Sequence, residues 1–445
     1  MKTYGIICEY NPFHNGHIYQ IEETKRMTGA DHIVAVMSGN FVQRGDVALI
    51  DKFRRARVAV NNGVDLVIEL PVQYSLANAE FFARAGIMTL KALRCVDGVS
   101  FGSECGSIED LKRAADAVLD VATKENLKPL LEQGINYPAA VNQLVAYKYG
   151  PLTAELLNSP NNTLAIEYLK SIKVMGLDDL DVVTVKRKGA EHDSDAPVDG
   201  IASGSYIRRL IDDGEDFSAY VPKDMKEAVD EYEEKEMLCW FENLERVLLY
   251  RMRTISIQDI ATTAGVGQGL ENKIFQAGHN ANSLDQLIQG IKSKRYPEAR
   301  IRRILLNSLI GIRNEDLLTP PIFGRILALN DRGAEIVKMA GSLPENKFSF
   351  PFSTSFKDVI KSPNKRIQRS IGLSTLAGDI YTLASRNARP GGSDFTAKIQ
   401  LQKIEGFVSE LPEVMPKAEK PAEEKPAEGA AADNVPETVS EEVNE

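Results

Sequence analysis

The first two hundred residues alternate short apolar runs with stretches of helical period. Runs of β-forming residues at Thr3–Tyr10, His32–Ser38, Val64–Leu70 and Gly98–Gly102 predict buried strands. Between them, Gly16–Met27, Lys52–Asn61 and Asn78–Leu93 repeat apolar positions at helical spacing, with Asp51 and Asn78 placed to cap the second and third. Strands separated by helices predict parallel βαβ units. A helical insertion follows over 108–149, and Ser159-Pro160-Asn161-Asn162 opens another helix. A further strand, Asp181–Lys186, runs into KRKGAEHD, and IASGSYIRRL (201–210) follows it. From Val221 to about Glu410 the pattern is mostly helical, with few β-branched runs and the one tryptophan, Trp240. The expected organisation is an α/β part over 1–220, a mainly α-helical part over 221–410 and a tail over 411–445. That tail is rich in Pro, Ala and Glu and nearly lacks large apolar side chains. It cannot bury enough surface to offset the entropy of ordering and is expected to be disordered.

Charge changes the picture in one respect. The net charge of −10 argues at first against nucleic acid, but 411–445 alone carries −7, leaving a nearly balanced body in which local basic patches decide. The densest patch runs from Lys292 to Arg303: Lys292, Lys294, Arg295, Arg300, Arg302 and Arg303 against Glu298 alone, with Tyr296 available to stack on a base. Lys361, Lys365, Arg366 and Arg369 form a second. Such runs are usually wet helix faces; beside a catalytic domain they are read here as RNA contacts. No apolar run approaches a bilayer span, and a strand follows Lys2 where a signal peptide would lie, so a cytoplasmic protein without membrane contact is expected. The four cysteines, Cys8, Cys95, Cys105 and Cys239, form no C-x-x-C pair, which disfavours a zinc or redox site.

The chemistry concentrates where strands end, as ligands on parallel sheets bind at carboxyl ends. The first strand leads into 11-NPFHNGH-17. Proline stops the strand, and a helix begins near Gly16. A fresh helix N-terminus suits phosphate, a glycine admits a ligand close to the backbone, and imidazoles donate to phosphoryl oxygens as charge develops. The stretch therefore reads as a nucleotide site built on His14 and His17. At 203-SGSYIR-208, Ser203, Ser205 and Arg208 offer hydroxyls and a bidentate cation at another helix start; taken alone such a start is more often a plain N-cap, but paired with the histidine loop it reads as an anion site. In the loop after the second strand, Gln43, Arg44 and Asp46 are polar; Asp46 reads as a magnesium contact or as a loop ion pair. His32 and His192 look ordinary, and no metal constellation appears, so magnesium is expected to arrive with a nucleotide.

The H-x-G-H loop after a first strand resembles the nucleotidyltransferase superfamily, whose Rossmann-like domain holds ATP phosphates with it. The longer set 9-EYNPFHNGH-17, 37-MSGNFVQRGD-46, 65-DLVIELP-71, 101-FGSE-104, 160-PNN-162 and 292-KSKRYPEARIRR-303 resembles the tRNA(Met) cytidine acetate ligase family over nearly the whole chain to about Glu410. The resemblance implies a Rossmann-like nucleotidyltransferase fold with a parallel sheet. It implies that ATP and acetate form acetyl-adenylate, whose acetyl group passes to N4 of the wobble cytidine of elongator methionine tRNA. Pyrophosphate, AMP and N4-acetylcytidine are the products, without coenzyme A. It also implies an ATP site on Ile7, Cys8, Glu9, Tyr10, Asn11, Pro12, Phe13, His14, Asn15, Gly16, His17, Ile18, Tyr19 and Gln20, with Gly102, the Pro-Asn-Asn turn (Asn162 preferred over Asn161) and Arg187. His14, His17 and Arg208 would be catalytic, with Ser203 and Ser205 near the phosphates; Gly204 interrupts the family's Ser-Ser-Thr turn. Two other readings compete. A small-molecule adenylyltransferase shares the loop but leaves the basic helical part unexplained. A non-catalytic RNA-binding protein leaves the histidine pair unexplained.

Overall fold

The computed structural model describes residues 1–188, 197–267, 269–342 and 350–405. Ten strands occur among them: β1 (Thr3–Cys8), β2 (His32–Ser38), β3 (Phe41–Val42), β4 (Asp46–Val47), β5 (Leu66–Leu70), β6 (Gly98–Ser103), β7 (Asp181–Lys186), β8 (Gly324–Asn330), β9 (Phe352–Ser353) and β10 (Gln400–Gln402). The main sheet has the order β10-β8-β5-β2-β1-β6-β7, with β9 on β8, while β3 and β4 form a separate ribbon. The five strands from β5 to β7 are parallel to one another, as the βαβ pattern predicts. Central β2 is buried throughout, and its side chains divide by period two. Val34 and Val36 join Leu66, Ile68 and Leu70 beneath the helices Ala79–Ala92 and Pro160–Val174. Ile33, Ala35 and Met37 face the opposite layer, which holds Lys52–Asn61, Gly204–Asp212 and Lys223–Glu234. Both expected caps form: Asp51 accepts from Phe53 N and Arg54 N, and Asn78 from Phe81 N. The insertion is three helices, Ile108–Val121, Lys124–Glu132 and Tyr137–Tyr149.

The later part of the chain is mainly helical, with a core of its own that includes Leu248, Ile274, Leu287, Ile304, Leu305 and Tyr381. It also returns to the sheet, which the helical pattern did not predict. β8 lies antiparallel beside β5, and β10 lies parallel outside it. The run GRILALN is strong in Leu and Ala and holds one β-branched residue, so propensity reads it as helix; burial of all seven residues in the sheet overrides that. Phe41 and Val47 of the β3–β4 ribbon are buried in the helical core, so the loop after β2 ties the two parts together. The predicted tail, 411–445, and His192 lie outside the described residues.

Candidate active site

The turn that leaves β1 is tightly held. Tyr10 takes a left-handed backbone (φ 50°), and the Asn11-Pro12 bond is cis. Asn11 accepts from Leu49 N at 2.8 Å through its side-chain oxygen, and Asn15 donates to the carbonyls of Gly200 and Ala219. Tyr10 and Phe13 are buried beneath the loop, and Ile18 packs on the same core. The helix Asn15–Thr28 then starts with His14 as its N-cap.

Two backbone amides fix the histidines. Gly16 N donates to His14 Nδ1 at 3.1 Å, and His14 N donates to His17 Nδ1 at 3.1 Å. An amide can only donate, so each Nδ1 is an acceptor and each ring carries its proton on Nε2. The rings stack with centroids 3.7 Å apart, and Tyr10 meets His17 edge-on at 4.7 Å. Burial, reinforced by the Arg187 and Arg208 charges, lowers the His14 pKa to about 3. Burial, with His14 and Arg187, pushes His17 well down too. Both are neutral donors at neutral pH.

His14 and His17 line an open cleft together with Gly16, Tyr19, Gln20, Gly102, Arg187 and Ser203. Arg187 leaves the end of β7, and its Nε is buried without a partner among the described residues. A Cβ at Gly102 would stand 3.4 Å from the Arg187 side chain, so the glycine leaves this wall open. Ser203 caps the helix Gly204–Asp212 by accepting from Tyr206 N at 3.1 Å. Gly204 is needed for contact: a Cβ there would lie 3.0 Å from the Asn11 carbonyl oxygen. Arg208 donates to that same oxygen at 2.7 Å and sits 3.5 Å from Ser205 Oγ. The H-x-G-H loop and the serine turn therefore meet. A helix N-terminus, two imidazole N–H donors and an orphaned buried guanidinium N–H fit a polyphosphate.

Comparison with known proteins agrees. The family model described as HIGH Nucleotidyl Transferase matches residues 1–394. A tRNA(Met) cytidine acetate ligase of Alkaliphilus metalliredigens is 38% identical over 409 residues, 87% of this chain and 95% of that protein. One of Acetivibrio thermocellus is 34% identical, covering 90% and 99%. The crystal structure of Thermotoga maritima TmcAL bound with alpha-thio ATP superposes with a TM-score of 0.82 at 28% identity, over 91% of this chain and all of that one.

The chain belongs to the tRNA(Met) cytidine acetate ligase family.

Other expected site residues of this family member are placed differently. Asn162 does not line the cleft. It is 3% exposed, and its side-chain oxygen accepts from Glu104 N and Cys105 N. Glu104 returns the contact, accepting from Asn162 N at 2.7 Å and from the backbone and side chain of Asn161. The pair thus sets the loop that follows β6. Ile7 packs on the sheet and Cys8 ends β1. Glu9 does not line the nucleotide cleft; its Oε1 accepts from Gln43 N at 2.6 Å, and burial raises its carboxyl pKa. Asp46 is paired with Arg302 at 3.0 Å and accepts from Val47 N. No group of three His, Cys, Asp or Glu side chains suited to a metal occurs among the described residues.

The basic stretch divides. Arg302 donates to Gly45 O and Asp46, and Arg303 to Gln43 O, fastening the helix Glu298–Ile310 to the loop after β2. Gly45 (φ 77°) permits this, since a Cβ would lie 2.6 Å from Arg303 N. Arg300 donates to Gly265 O and lies over Tyr296. Three of the six expected RNA contacts are therefore bound within the protein. Lys292, Lys294 and Arg295 are exposed, Lys292 in an ion pair with Glu298. In the second cluster Arg369 grips Asp316, while Lys361, Lys365 and Arg366 are exposed.

Sequence reading missed two residues. Lys188 lines the cleft and lies over the Tyr19 ring at 4.4 Å, one position beyond the expected Arg187. Arg55 is fully buried and donates to the carbonyls of Glu9, Ser38, Gly39 and Ile50, gathering the ends of β1 and β2. Its signal was an arginine on the apolar face of KFRRARVAV.

Proposed function

We propose that this protein is itself an ATP-dependent tRNA(Met) cytidine acetate ligase acting in the cytoplasm, without coenzyme A. Acetate attacks the α-phosphorus of ATP, giving acetyl-adenylate and pyrophosphate. The acetyl group then moves to N4 of the wobble cytidine of elongator methionine tRNA, leaving N4-acetylcytidine and AMP. The observation that carries this reading is the pair of neutral imidazoles whose Nε2–H groups have no hydrogen-bond partner among the described residues and which share a cleft with Arg187.

Charge gathers on the α-phosphoryl oxygens and on pyrophosphate as the first bond forms. His14 and His17 donate there without altering their backbone bonds, and Arg208 and Arg187 supply positive charge. Preorganised donors of this kind are worth several kcal/mol, roughly 3 each. Ser203 and the start of its helix receive the outer phosphates. The triphosphate would bring its own magnesium as counter-ion, which would supply further charge neutralisation at the phosphates. Lys292, Lys294 and Arg295 meet RNA phosphates, and the anticodon loop presents its base unstacked.

Acetate-dependent exchange of labelled pyrophosphate into ATP tests the first half. Exchange that needs acetate and disappears in His17→Ala, with tRNA binding nearly unchanged, is expected. A His17→Ala protein that exchanges at the wild-type rate sinks the assignment. ATP cleavage onto a small phosphorylated acceptor, with no acetate dependence, points to the adenylyltransferase reading instead.

A further inference from the structure

We propose that Glu9 is the general base of the acetyl-transfer half of the reaction, accepting the proton that the cytosine amine sheds. The inference rests on the ligase reading and goes beyond it to the second chemical step. Acetate reacts as a carboxylate and releases no proton in the first step. The cytosine amine does: as N4 bonds to the acetyl carbon, the carbon–oxygen bond to AMP breaks, AMP leaves with the electron pair, and N4 loses one proton. That proton needs an acceptor beside the site.

The imidazoles do not provide one. Each Nδ1 lone pair is committed to a backbone amide, and each Nε2 already bears hydrogen. Two neighbouring carboxylates are engaged otherwise. Asp46 is in an ion pair with Arg302 at 3.0 Å, a direct counter-charge that Glu9 lacks among the described residues, and its Oδ1 takes both that contact and Val47 N. Glu104 accepts three hydrogen bonds from Asn161 and Asn162 through its two oxygens. Glu9 differs. Gln43 N fixes its Oε1 at 2.6 Å, and its Oε2 has no hydrogen-bond partner among the described residues.

Its position suits the step. Glu9 follows directly on β1, one residue before the turn that carries the histidines. Its side chain leaves the nucleotide cleft for the loop after β2, onto which Arg302 and Arg303 dock. The helix Glu298–Ile310 is preceded by the exposed Lys292, Lys294 and Arg295, so Glu9 reaches from the strand end that carries the histidine turn to the loop on which that helix docks. The positive charges of Arg44, Arg208 and Arg55 act on the carboxylate and favour its ionised form. Burial outweighs them and raises the proton affinity of the carboxylate, which strengthens it as an acceptor.

Glu9→Gln separates the half-reactions. The amide oxygen keeps the Gln43 contact and removes the basic oxygen. Acetate-dependent pyrophosphate exchange should stay within a few-fold of wild type. Transfer from preformed acetyl-adenylate to tRNA should fall roughly 10²- to 10⁴-fold. Glu9→Asp, which retains a carboxylate, should transfer faster than Glu9→Gln, a recovery that a purely architectural role would not give. Equal loss of both halves, or no loss of transfer, overturns the proposal. Absence of acetate-dependent exchange in the wild-type protein would instead overturn the ligase reading, and the base assignment with it.

Discussion

At His14, folding and chemistry fall on opposite nitrogens of one ring. Nδ1 caps the helix, a bond of a kind worth about 1 kcal/mol, and so fixes the tautomer that leaves Nε2–H for a phosphate. The arrangement has a cost in acid. The folded-state pKa of about 3 lies below the ordinary 6.5, so the unfolded chain takes up a proton between those values while the folded chain does not. Stability is full above pH 6.5 and falls as pH drops through that window, by about 1.4 kcal/mol per pH unit for each such histidine. His14→Asn keeps a capping oxygen and removes the titration. Urea midpoints at pH 7 and pH 5 should therefore differ less in the variant than in wild type. An equal difference would show that His14 titrates normally in the folded protein.

The elements show what a sequence can and cannot display. β2, β7 and the helix Lys52–Asn61 have the predicted limits, because two-residue and helical periods, together with caps such as Asp51, are local signals. The H-x-G-H loop was legible for the same reason. β8 was not, since Leu and Ala suit either state and its burial depends on a sheet formed hundreds of residues earlier. Nor was the fate of the arginines in the helix Glu298–Ile310. Ala299, Arg302 and Arg303 share a helical face, and that face meets Gly45. Counting charges found the cluster; only packing tells which ones reach solvent. Of the stretch 292–303, the loop before that helix keeps its cations exposed and is the part proposed to meet RNA. Lys294→Ala with Arg295→Ala should weaken tRNA binding and lower the slope of log affinity against log salt by roughly 1.5. Filter binding across a salt series measures both, and an unchanged slope would remove this loop from the interface.

Across the whole molecule, the two parts of the chain are joined by charge as well as by strands. Lys52 lies 2.6 Å from both Glu69 and Asp394, and Arg325 pairs with Asp394, with all four side chains buried. They link the start of a helix, β5, β8 and the short helix Ser393–Thr396. Removing one member strands its partners in a dry interior, so Lys52→Met should cost about 3–5 kcal/mol in urea unfolding. A loss below about 1 kcal/mol, the size of an exposed pair, would mean that water reaches the cluster. This junction fastens β8 and the Ser393–Thr396 helix, both from the later part of the chain, to the parallel sheet. The protein is proposed to activate acetate at the nucleotide cleft and to deliver it to RNA held by the exposed basic loop. The most direct test is to incubate the protein with ATP, magnesium, radiolabelled acetate and bulk tRNA, and to map the label by nuclease digestion. Label in a cytidine of methionine tRNA, absent without ATP and lost in His17→Ala, is the predicted result. Acetate-dependent pyrophosphate exchange with no label in any tRNA would contradict it.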